Sequence, residues 1–67
     1  MYFVDERMLG GDHLPLEQVA IFARILTDIT GVVCVAADCA PVGQEAPFSQ
    51  EDWELALEQF CREVEPV

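Results

Sequence analysis

The sequence predicts a small α+β domain, with elements in the order strand, helix, strand, helix and two helices packed on a short sheet. Three observations predict it: two runs of β-branched and aromatic residues, two stretches of apolar residues at helical spacing, and breaks between them that carry Gly or Pro. The rival architecture is an all-helical bundle in which residues 32–37 prolong the first helix. Gly31 and the valine cluster after it oppose that reading.

Tyr2-Phe3-Val4 opens the chain with residues that suit a pleated surface, and the strand is expected to run on to about Leu9. Gly10-Gly11-Asp12 breaks it, and the loop extends through His13. Pro15 suits a first helical turn, where its missing N–H costs nothing. From Leu16 to Thr30 the apolar residues Leu16, Val19, Ala20, Phe22, Ala23, Leu26 and Ile29 recur on one broad arc, with Glu17, Arg24 and Asp28 opposite. Ile21 and Ile25 fall on or beside that polar side. Gly31 follows as the natural stop.

Val32–Ala37 is apolar at consecutive positions, not alternating ones, which predicts a central strand covered on both faces. Residues 38–48, with Pro41, Gly43 and Pro47, read as a loop that is either functional or poorly ordered. The last helix opens on Ser49-Gln50-Glu51-Asp52, a capping pattern with Asp in place of the usual Glu or Gln. Its apolar stripe is Trp53, Ala56, Leu57, Phe60, Cys61 and Val64, and Pro66 marks its end. Two strands alone make a poor sheet, so a third is expected from segment 38–48 or from a second molecule.

At 67 residues the chain is expected to be one domain, since nothing remains for a second core. It is 52% apolar, which excludes intrinsic disorder, yet its net charge is −10, from thirteen acids against three arginines and no lysine. Such a charge repels nucleic acid and anionic membrane and attracts basic protein surfaces. Three cysteines cannot all pair within one chain, and residues 1–7 do not have the form of a secretory leader. Both features point to a reducing cytoplasm.

The acids are unevenly placed. Residues 51–67 hold six of the thirteen, with one of the three arginines, so half of the net charge sits on the last quarter. On the last helix Glu51, Glu54, Glu58 and Glu65 project within about 60° of each other, at roughly 100° per residue. Glu54 and Glu58, four apart, repel one another, which a sequence tuned for stability alone would avoid. Leu55 stands about 160° from Trp53 on the same wheel, beside Glu51 and Glu58, as an apolar anchor within the acid ridge. Glu51, Glu54, Leu55, Glu58 and Glu65 are therefore the expected partner-binding residues. Ile21 and Ile25 mark the expected interface of a homodimer.

Catalysis and metal binding find little support. Cys34 and Cys39 with His13 lack the close paired spacing of structural zinc sites, and Cys61 reads as a small buried hydrophobe. Cys39, His13 and Asp12 or Asp38 have the residue types of a nucleophilic triad but no spacing that gathers them. Gly10-Gly11 lacks the Lys and hydroxyl of a phosphate loop. No catalytic residue, cofactor or metal is expected. In size and charge the chain resembles the acidic nucleic-acid mimics of phages and mobile elements, such as anti-restriction and anti-CRISPR proteins, and this likeness carries no residue across. It implies a protein-binding inhibitor that blocks a basic groove of a nucleic-acid-binding target. The alternative is a homodimeric assembly or adaptor protein whose charge serves solubility.

Overall fold

The computed structural model describes residues 1–10 and 14–64. Two strands, β1 (Tyr2–Val4) and β2 (Cys34–Ala36), pair in parallel with Tyr2 opposite Cys34. Helix α1 (Leu16–Thr30) connects them, and helix α2 (Gln50–Val64) follows the long loop. The result is a small α+β domain of two helices on a short two-stranded sheet. Helix α1 is its hub, touching both β2 and α2.

The N-terminal strand is shorter than the sequence predicts. It stops at Val4 because Asp5 turns the chain: its Oδ1 and its carbonyl both accept the Met8 N–H, each at 3.2 Å. A single-turn 3-10 helix, Glu6–Leu9, follows and ends on Gly10 at φ 70°. Pro15 stands one residue ahead of α1, where its carbonyl accepts from Gln18 and Val19 and so starts the helix.

The end of α1 shows how two threonines steer the chain into β2. Gly31, at φ 76°, donates its N–H to the Thr27 carbonyl at 2.8 Å. The Thr30 hydroxyl donates to the Leu26 carbonyl and accepts the Val32 N–H. The Thr27 hydroxyl accepts the Cys34 N–H at 2.9 Å; its single proton goes to the Ala23 carbonyl at 2.8 Å in preference to the Cys34 carbonyl at 3.4 Å.

The sheet has two strands among the described residues, and segment 38–48 supplies no third. It supplies a side chain instead. The Gln44 amide lies along the outer edge of β1, accepting the Phe3 N–H at 3.1 Å and donating to the Phe3 carbonyl. One primary amide thus makes the two bonds that a neighbouring strand would make there. With Thr27 on Cys34, each outer edge is met by a side chain.

β2 is accordingly an edge strand, not a central one, and only one face of the sheet joins the core. Tyr2, Val4 and Cys34 pack with Phe22, Leu26 and Phe60. Phe3 and Val35, one residue out of phase, point to the other face and stand outside that cluster, and Val33 is 56% exposed. A continuous apolar run here means a short strand with one half-open face. Between the helices, Phe22 meets Trp53 and Phe60 edge-on, with ring centroids 4.9 and 5.6 Å apart. No helix among the described residues is long and apolar enough to cross a membrane.

Candidate functional site

Helix α2 carries the candidate site, and its start is well specified. The Ser49 Oγ accepts the Asp52 N–H at 3.3 Å, and Glu51 and Asp52 in the first turn and Arg62 in the last suit the helix dipole. Ala56 and Phe60 are buried against α1, which turns the acid side of α2 outward. Glu51, Glu54 and Glu58 are all exposed, and Leu55 beside them is 49% exposed. The three acids and the leucine therefore share one accessible side. Glu65 lies outside the described residues.

The ridge is not uniform. Arg62 donates to Glu58 at 2.7 Å across one turn, which partly neutralises that carboxylate. Glu51 and Glu54 have no cationic partner among the described residues. The unneutralised charge is thus shifted toward the N-terminal half of the helix, centred on Glu54.

That half borders a concave feature which sequence reasoning missed. Tyr2, Met8, Phe48 and Trp53, with Ala46, Ser49 and Gln50, line a cleft of about 310 Å³. Tyr2 meets Phe48 edge-on at 5.0 Å, and Phe48 lies nearly parallel to Trp53, with centroids 6.0 Å apart. None of the lining side chains is charged. Glu54 stands one turn beyond Gln50, so the acid ridge begins at the rim. Trp53 alone was legible as a stripe residue; Tyr2, Met8 and Phe48 come from separate segments that no local spacing relates.

Asp5 is the second feature missed. It is 1% exposed, and its Oδ2 accepts the Ala40 N–H at 2.8 Å and the Arg7 guanidinium at 2.9 Å, while its Oδ1 accepts from Met8. The Ala40 N–H and the Arg7 guanidinium hold its carboxyl below the usual carboxylate range. The same guanidinium approaches the exposed Cys39 thiol at 3.3 Å. This cluster fastens loop 38–48 to the end of β1. An Asp followed by an acid at the head of a short turn is an N-cap signal, and Asp5-Glu6 after Tyr2-Phe3-Val4 carries it in the sequence.

Compared with protein-family models, curated proteins and solved structures, the chain matches none.

Two sequence expectations, for Ile25 and Cys61, are corrected by the structure. Ile25 is 6% exposed and belongs to the core, because α2 covers that flank of α1; Ile21 stays at the surface at 36%. Cys61 is exposed, since the buried part of the α2 stripe is narrow, limited to Ala56 and Phe60 with half-buried residues around them. Loop 38–48 is not free-running: Ala40, Gln44 and Phe48 each tie it down. The three cysteines form no disulfide, and burial pushes the Cys34 thiol up from its ordinary value. Among the described residues no three His, Cys, Asp or Glu side chains gather as a metal site; His13 and Asp12 lie outside those residues.

Proposed function

We propose that this chain is a small acidic protein-binding regulator or inhibitor, acting by occupancy and not by catalysis. The exposed face of α2 enters a basic site on its partner. The observation that carries this reading is the set of Glu51, Glu54 and Glu58 on one accessible side, with Glu51 and Glu54 unneutralised and Leu55 among them. Leaving carboxylates unpaired on adjacent turns costs a few tenths of a kcal/mol each. A cationic partner recovers that cost on binding. Nucleic-acid-binding proteins are the fitting target class, because their grooves are built to neutralise closely spaced phosphates. An acidic helix in such a groove competes with nucleic acid without touching it. The three unpaired cysteines favour a reducing, cytoplasmic setting.

The rival reading, a homodimeric assembly protein joined through Ile21 and Ile25, is less favoured, because Ile25 is already covered within one chain.

The test is capture from extract of the source cells by the immobilised protein and by its Glu54→Lys/Glu58→Lys variant. Wild type should retain basic, nucleic-acid-binding proteins at about 50 mM salt, release them at about 500 mM, and lose them to added duplex DNA. The variant should retain none of them. Capture that survives both high salt and charge reversal would overturn the reading.

A further inference from the structure

We infer that the cleft between Tyr2, Met8, Phe48 and Trp53 receives one large apolar side chain from a basic segment of the partner, whose flanking cations lie on the α2 ridge. The inference rests on the acid-face reading above and adds to it what the partner must carry between its cations.

Size, lining and setting agree on this occupant. A cleft of about 310 Å³ is at the lower limit for small-molecule sites, which suits one side chain better than a cofactor. Three aromatic rings and a thioether make most of its walls, Ala46 and the uncharged polar Ser49 and Gln50 complete them, and no charged group lines it. A buried Arg or Lys head would lose its water there without gaining a carboxylate. A Phe, Leu or Met loses nothing polar. The adaptable Met8 and the rigid Trp53 are the kind of wall that hosts an interface anchor.

The rim supplies the opposite chemistry. Gln50 and Trp53 form one wall, Glu51 directly follows Gln50, Glu54 is one turn along the same helix, and Glu58 is one turn farther. Cations one or two residues from the anchor therefore meet carboxylates as the anchor enters. The cleft against Asp5 and Arg7 offers no such match, because its carboxylate and guanidinium already bind one another.

Trp53 is the sole tryptophan, so its emission reports on the cleft directly. The probes are tryptophan-free Lys/Arg peptides that differ only at a central residue: Phe, Ala or Arg. The Phe peptide should bind at least roughly tenfold more tightly than the Ala and Arg peptides and shift the Trp53 emission. All three should weaken as salt rises, the Arg peptide with its extra cation most steeply. Ala46→Phe, at an exposed rim position, fills the cleft while every core and acidic side chain is kept. It should erase the Phe preference and leave the salt-dependent binding. Equal affinities for the three peptides, with binding still lost at high salt, would overturn the cleft assignment and leave the acid-face reading standing. The same holds if the Phe preference survives Ala46→Phe but disappears in Leu55→Ala, which would move the anchor to Leu55. Failure of every peptide to bind at low salt would overturn both.

Discussion

A buried carboxylate is tolerated when its oxygens meet donors, and Asp5 meets that condition through Met8, Arg7 and Ala40. The arrangement joins residues 35 apart in sequence, so the end of β1 and the start of loop 38–48 stand or fall together. Asn at this position keeps the shape but turns an amide NH₂ toward donors. Asp5→Asn should therefore cost about 2 kcal/mol at neutral pH, the range for hydrogen bonds to a charged group. Because the folded carboxyl titrates below its ordinary value of 3.8, the stabilisation is fully present above that value. It is lost as pH falls through the lower, folded value. Urea unfolding of wild type and Asp5→Asn should show a gap that is constant from pH 7 to 5 and narrows as pH falls below 3.8. A gap that does not narrow there would show that the charge of Asp5 is not what stabilises the wild type.

At the scale of elements, the sheet is completed by side chains where a third strand was expected. Gln44 satisfies both outward groups of Phe3, and Thr27 takes the outward N–H of Cys34. Gln44→Ala frees the β1 edge and should lower stability by about 1 kcal/mol while raising self-association, as an uncovered edge recruits another strand. Gln44→Glu separates the two bonds, since a carboxylate accepts the Phe3 N–H and repels the Phe3 carbonyl. It should be no more stable than Gln44→Ala. Thermal unfolding and sedimentation of the three proteins measure both effects, and an unchanged stability for Gln44→Ala would show that water caps the edge as well. The helices were legible because their signals are local: period, N-cap Ser49 and stop Gly31. Segment 38–48 gives no third strand, and its Gln44 was not foreseen in that place because a side chain that replaces a strand leaves no periodic trace.

For the whole molecule, thirteen acids and three arginines leave a net charge of −10, with two ion pairs among the described residues. Self-repulsion on that scale opposes the compact state and is screened by salt. The melting temperature should therefore rise between about 20 mM and 500 mM NaCl, while partner binding weakens over the same range. The opposite signs separate intramolecular repulsion from intermolecular attraction in one pair of measurements. A melting temperature that falls with salt would mean that the Asp5–Arg7 and Glu58–Arg62 attractions outweigh the repulsion.

By itself the sequence determined the order of the two strands and two long helices, the limits of the first helix, the start of the last, and which side of that helix carries the acids. Each of these follows from spacing along one segment, where the chain's own geometry relates the residues. Only the tertiary structure decided that Ile25 is covered while Ile21 is not, and that Asp5 locks a loop. It also decided that Tyr2, Met8 and Phe48 converge on Trp53. Those outcomes depend on which surfaces of separate elements face each other, and that choice is made by packing the whole core at once.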